Sequence, residues 1–125
     1  MNYKHNDNLM NPVIVVVAYN REKSLCRLLN ALEHANYEES VPLIISIDYG
    51  NNQRVIDIAK SFSWSHGEKK VRVFTENQGC RNHVIQCIDY SIEYGSAIIF
   101  EDDILPSPNF YSYVKQSLQC YFKNK

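Results

Sequence analysis

The sequence predicts a three-layer α/β/α sandwich built on a mainly parallel four-stranded sheet. Short, largely apolar runs, the third of them alternating, take turns with segments whose apolar residues recur at helical spacing. The alternation is strict, in the order β-α-β-α-β-α-β-α. The apolar runs are also rich in β-branched residues, as strands buried on both faces are.

Pro12 to Ala18 is the first such run. Arg21 to Ala35 follows, with Leu25, Leu28, Leu29 and Leu32 at the spacing of one helical face. Val41 to Ile47 reads as the second strand, with Pro42 near its start. Gly50 and the Asn51-Asn52 pair make a turn, and Val55, Ile56, Ile58, Ala59 and Phe62 mark a second helix. A polar connection containing Gly67 leads to a third strand at Val71 to Phe74. Gly79 precedes a third helix, whose apolar residues are Val84, Ile85, Ile88 and Ile92 and which Gly95 stops. Ala97 to Phe100 is the fourth strand and runs directly into Glu101-Asp102-Asp103. Ser107-Pro108 then reads as an N-cap followed by proline in the first turn. The last helix carries the stripe Phe110, Tyr113, Val114, Leu118 and Tyr121. Crossovers between the parallel strands are expected to be right-handed.

The 125 residues suit a single domain over residues 12–125, preceded by a loose polar tail over 1–11. Such a domain buries roughly two-thirds of the surface its unfolded chain exposes, enough for a core. A net charge of -1 offers no general attraction to nucleic acid or to an anionic membrane. No apolar run reaches the length of a transmembrane helix. The tail lacks the apolar segment of a signal peptide, so a cytoplasmic location is expected. Cys26, Cys80, Cys87 and Cys120 contain no Cys-x-x-Cys pair and read as small buried apolar residues. Cys80, His83 and Cys87 share a helical face, as three zinc ligands could, but no fourth ligand lies nearby in sequence.

An open parallel sheet binds ligands at the carboxyl ends of its strands. The polar residues there are Tyr19, Asn20 and Arg21, then Asp48, Tyr49 and Gly50, then Thr75 to Gln78, then Glu101, Asp102 and Asp103. Adjacent acids at a strand end repel one another unless water or a cation compensates them. Their hard oxygens suit Mg²⁺ or Mn²⁺, which usually take one or two carboxylates plus substrate phosphates. The plainer reading is a solvated acidic turn ahead of a helix N-terminus. Arg21 could clamp a phosphate or sit at the surface. Asp48 could bond a base or ribose, or make an Asx-turn. His83 could lie against a base or be a half-buried histidine. The sequence contains no glycine-rich dinucleotide or P-loop motif and no Gly-x-Ser-x-Gly elbow.

The stretch Ile98-Ile99-Phe100-Glu101-Asp102-Asp103-Ile104-Leu105-Pro106-Ser107-Pro108-Asn109-Phe110-Tyr111 resembles the N-acetylglucosaminyltransferase I type of GT-A glycosyltransferase, and more distantly the bacterial family 2 enzymes. Pro12 to Arg21, Ser46-Ile47-Asp48-Tyr49-Gly50 and Arg81-Asn82-His83 resemble further segments of that group, in the same order. The resemblance implies binding of a UDP-sugar, UDP-GlcNAc above all, through Mn²⁺ or Mg²⁺, for inverting transfer to a glycan or other acceptor hydroxyl. It implies that Asp103 ligates the metal and that Asp102 and Glu101 contact ribose and donor sugar. It places Arg21 on the nucleotide, and Asp48 and His83 on the base.

Complete members of that group continue well beyond the acidic triplet, so only the donor half is expected here, with no assigned catalytic base. A truncated sheet would leave an exposed edge, and with it a tendency to self-associate or to take a partner chain in place of the missing half. The alternative is a non-catalytic nucleotide-sugar-binding or assembly module of the same fold. A signalling receiver shares the length and alternation, but it places its acidic pair after the first strand, where Tyr19-Asn20 stands here.

Overall fold

A computed structural model describes residues 11–123. The tail expected over residues 1–11 therefore lies outside the described residues, Asn11 apart. The elements are β1 (Val13–Ala18), α1 (Glu22–His34), β2 (Leu43–Ile47), α2 (Gln53–Ser61), β3 (Lys69–Val73), α3 (Cys80–Tyr94), β4 (Ala97–Glu101) and α4 (Phe110–Lys123). The four strands form one all-parallel sheet in the order β3-β2-β1-β4. The α/β/α sandwich read from the sequence is the fold. No helix among the described residues is long and apolar enough to cross a membrane.

Side chains on a strand point alternately to its two faces, so each strand feeds two cores. Ile14, Val16 and Ala18 of β1 and Leu43, Ile45 and Ile47 of β2 pack under Leu25, Leu28, Leu29 and Leu32 of α1 and Val55 and Ala59 of α2. Val13, Val15 and Val17 share the opposite face with Ile44 and with Cys87 of α3. This division follows from strand order. The chain steps outward from β1 to β2 to β3, which puts α1 and α2 on one face. It then crosses back to β4 on the far side of β1, which puts α3 on the other.

Two helices differ from the sequence reading. Ile85, Ile88 and Ile92 do not face the core; they are 51%, 50% and 82% exposed. The sheet-facing side of α3 instead carries His83 and Cys87, with Val84, Tyr90 and Tyr94 packed beside Cys87. The face it covers is partly polar: Ser46 Oγ bonds to His83 Nε2 at 2.8 Å, and Arg72 lies over Tyr90. Polar partners recruited the polar side of the helix. In α4, Phe110 packs against the core as read, but Tyr113 and Tyr121 are exposed, and Tyr111, absent from the stripe, is buried with its hydroxyl donating to the Pro12 carbonyl at 2.7 Å. Ser107 is not an N-cap. Its carbonyl accepts from Phe110 N, closing a turn with Pro108 inside it, and the helix begins at Phe110. Of the four cysteines only Cys87 is buried, so the reading of all four as core residues fails for Cys26, Cys80 and Cys120.

The chain beyond β4 returns toward the amino-terminal ends of the strands. Asn36 N donates to the Pro108 carbonyl there, and Phe110 packs edge-on against Phe100 at 5.2 Å. Glu33, in the last turn of α1, ties down the loop that enters β3. Its carboxylate accepts from Ser65 N at 2.9 Å and from the Ser65 hydroxyl, and His66 Nε2 lies 3.6 Å away. Burial alone would raise its pKa. The two Ser65 bonds, with His66 and His34 nearby, outweigh burial and hold it below the ordinary value. A depressed carboxyl pKa stabilises the fold above the unfolded-state value, and that contribution is lost as pH falls through the folded-state value. Glu33→Gln should therefore cost about 1 kcal/mol at neutral pH. Its urea midpoint should converge on the wild type's in acid. A gap that persists unchanged into acid would refute the charge-based account.

Candidate functional site

Strand order predicts where a ligand enters. The strand order reverses beside β1: the connections from β1 to β2 and β2 to β3 cover one face, the connection from β3 to β4 covers the other, and a crevice opens at the carboxyl ends of β1 and β4. A cleft of about 330 Å³ lies there, within the range of small-ligand sites. Tyr19, Asn20 and Arg21 line it from β1, Asp48 from β2, Asn77, Gly79, Cys80 and His83 from the start of α3, and Glu101, Asp102 and Asp103 from β4. All six residues singled out in the sequence meet around this one cleft.

At the rim, Arg21 occupies the N-cap position of α1, where its carbonyl accepts from Leu25 N. Its side chain makes no cap bond and instead reaches across the crevice to Asp103, with Nη1 3.5 Å from Oδ2. The two side chains are 61% and 52% exposed, so this ion pair contributes little to stability and is easily exchanged for a ligand. The acids form a turn: the Glu101 carbonyl accepts from Ile104 N at 3.1 Å. Glu101 and Asp103 are exposed, and Asp102 is half-buried. Burial raises the Asp102 pKa. Asp103 and Glu101 add to the rise, while Arg21 and a bond from the Tyr19 backbone oppose it.

Below the rim the site is packed. Asp48 is only 4% exposed. Its Oδ1 accepts from Tyr49 N at 2.8 Å and Gln78 N at 2.7 Å, and its Oδ2 accepts from Gly79 N at 3.0 Å. A buried carboxylate needs such donors, and these come from the loop that begins α3. The bond from Tyr49 comes from the next residue and not from two residues on, as the Asx-turn read from the sequence requires, and the role of Asp48 is to bind the β3–α3 loop to the end of β2. Gly79 completes the junction at φ 80°, a left-handed conformation that a side chain would strain.

His83 is 1% exposed and forms part of the cleft floor. Its Nε2 is shared with Ser46 Oγ, which also accepts from Arg72 Nε at 3.0 Å. Its ring meets Phe74 edge-on at 5.2 Å. Burial lowers its pKa; Asp48 opposes the drop and Arg72 adds to it. The imidazole is held neutral and fixed. The zinc reading of Cys80, His83 and Cys87 gains no support, because Cys80 is exposed, His83 is spent on Ser46, and Cys87 Sγ faces Arg72 Nη2 at 3.5 Å. Among the described residues no three His, Cys, Asp or Glu side chains converge on a metal position.

Tyr19 was not singled out in the sequence, yet it stands 43% exposed at the cleft mouth. Its ring lies against Gly50, where a β-carbon would come within 2.7 Å of it. A tyrosine at a strand end facing a glycine at the next was the available signal. A scan against protein-family models matches none, and no curated protein matches the chain.

Asp48→Ala should lower stability by about 3 kcal/mol, since three donors lose a charged acceptor. Amide exchange at Gln78 and Gly79 should accelerate well beyond that of α1. Unchanged exchange at those two amides would contradict the anchoring role.

Proposed function

We propose that the cleft binds a nucleotide-sugar, specifically a UDP-sugar such as UDP-GlcNAc, and that its chemistry is inverting transfer of the sugar to an acceptor hydroxyl. One observation carries this reading: Arg21, Asp48, His83 and the triplet Glu101-Asp102-Asp103 surround a single cleft at the reversal point of the sheet. The resemblance of residues 98–111 to the N-acetylglucosaminyltransferase I type supplies the ligand class.

In this reading Arg21 releases Asp103 and turns to the diphosphate, which it matches with paired donors. Asp103 is then free to hold Mn²⁺ or Mg²⁺. The donor set fits such an ion in one manner. It offers hard carboxylate oxygens but no closed cage, as suits an ion held by one or two carboxylates and completed by phosphate oxygens and water. When bound, the metal neutralises the departing diphosphate. Glu101 and Asp102 face the ribose and donor sugar. Tyr19 offers an exposed ring on which a base can stack. His83, neutral and clamped by Ser46, gives the floor a fixed shape.

A second reading, binding without transfer, is favoured by a specific feature of the floor. With Glu101, Asp102 and Asp103 given to sugar, ribose and metal, Asp48 and His83 are left to take a proton from an acceptor, and both are buried and already committed to internal partners.

Calorimetric titration of UDP and UDP-GlcNAc, with and without Mn²⁺, tests the proposal. Binding should require Mn²⁺ and weaken by at least about tenfold, or about 1.4 kcal/mol, in Asp103→Ala. Arg21→Ala should weaken it without changing the metal requirement. Failure of the folded wild type to bind either nucleotide in Mn²⁺ would overturn the proposal. Release of free UDP from UDP-GlcNAc by the same sample, with an added glycan hydroxyl to take the sugar and a no-acceptor control for hydrolysis by water, separates transfer from binding alone.

A further inference from the structure

Arg72 of β3 is half-buried and forms no ion pair among the described residues. The rings of Phe74 and Tyr90 hold its guanidinium carbon at 4.6 and 4.9 Å. Its donors go to Ser46 Oγ at 3.0 Å and to Cys87 Sγ at 3.5 Å. Ser46 Oγ in turn lies 2.8 Å from His83 Nε2. Burying a cation costs stability unless its donors are used, and here they lead to His83. The other ring nitrogen of His83 is placed differently. Nδ1 makes no hydrogen bond with any described residue. It is not sealed from water either, although the residue is only 1% exposed. The ring lines the cleft, so Nδ1 opens into the cleft.

We infer that Arg72 and Ser46 are positioning residues that fix the tautomer of His83, with its proton on Nδ1, and so turn an N–H donor into the cleft. Arg72 Nε–H can only donate, so Ser46 Oγ accepts from it. A hydroxyl polarised in this way gives its own proton more readily. Two neighbours could take that proton, His83 Nε2 and the Cys87 thiol, and a thiol sulfur accepts weakly. The proton therefore goes to Nε2, which must be bare. Burial lowers the His83 pKa and keeps the ring neutral, so its single N–H is on Nδ1. Electrostatics acts in the same direction. The bare nitrogen is the negative end of the imidazole dipole, and it faces the Arg72 side. The N–H end faces the cleft, which Asp48 and the acidic triplet line. The opposite tautomer would crowd two N–H donors onto one hydroxyl oxygen and turn a lone pair toward the acids. His83 is then no base: one nitrogen is bonded by Ser46 and the other already bears a proton. It can donate to a ligand oxygen at the cleft floor. That ligand role rests on the nucleotide-sugar reading, and the tautomer does not.

Nitrogen-15 spectra of the labelled full chain at neutral pH, read through the carbon-bound ring protons, test this. His83→Gln identifies the signals to follow. The wild type should show a protonated Nδ1 and a bare Nε2. Arg72→Met and Ser46→Ala should each move the tautomer ratio toward Nε2–H by roughly tenfold. Ser46→Thr, which keeps the hydroxyl, should retain the wild-type pattern. A bare Nδ1 in the wild type would overturn the inference, and that spectrum needs no variant to fold. A ratio that neither Arg72→Met nor Ser46→Ala moves would overturn it as well. UDP with Mg²⁺, added to the wild-type sample, should shift the Nδ1 signal. Binding that leaves Nδ1 unmoved would overturn the ligand role. Failure of UDP to bind would count against the nucleotide reading alone, because the free-chain spectrum decides the tautomer.

Discussion

β1 is hydrogen-bonded to a parallel neighbour on each edge and buried on each face, and the rest of the molecule is arranged around it. A strand so enclosed must present apolar surface in both directions, so helices have to cover both faces. With right-handed crossovers the order β3-β2-β1-β4 leaves one place where successive connections diverge, beside β1 itself. The cleft is thus a consequence of strand order. The residues around it furnish it but do not create it. This also accounts for the near absence of polar side chains in β1 and their abundance just past Ala18.

The cleft has two depths with different physics. At the floor, Asp48 and His83 are out of water, and an isolated charge or unpaired polar atom there would be costly. Each is therefore tied: Asp48 to three amides, His83 to Ser46. At the rim, Arg21 and Asp103 remain in solvent, where their attraction is weak. A site that must hold a shape and also exchange partners is well served by this division. Fixed groups set the geometry, and labile ones carry the charges a diphosphate or a metal would engage.

This division marks the limit of what the sequence discloses. The strands and α1 were legible because burial on a strand or on one helical face leaves a local period, as Leu25, Leu28, Leu29 and Leu32 do. Arg21, Asp48 and Glu101 to Asp103 were legible because strand ends in a parallel sheet converge, whereas His83, within α3, was reached through the resemblance of Arg81-Asn82-His83. The role of Asp48 was not legible. Its donors Gln78 and Gly79 are about thirty residues away, and nothing local tells a ligand-facing aspartate from one spent on a loop. The orientation of α3 failed for the same reason. Its face was chosen by Ser46 and Arg72, on strands that the helix sequence does not mention. In α4 the stripe holds at Phe110 but not at Tyr113 and Tyr121, and the buried Tyr111 is bonded to Pro12, ninety-nine residues back, which the helix sequence does not mention.

β4 concentrates the remaining tension. It carries three successive acids at its carboxyl end, and it is braced by a neighbouring strand on one side only. Mutual repulsion among those acids has no strong internal answer. Arg21 is the cation that reaches them, and it does so through solvent. Asp102, half-buried, already resists ionisation. The acids are tolerable because they sit where the sheet ends and water begins. A strand that places its charges outside the core leaves them at the mouth of the cleft, where a cation or a ligand can answer them.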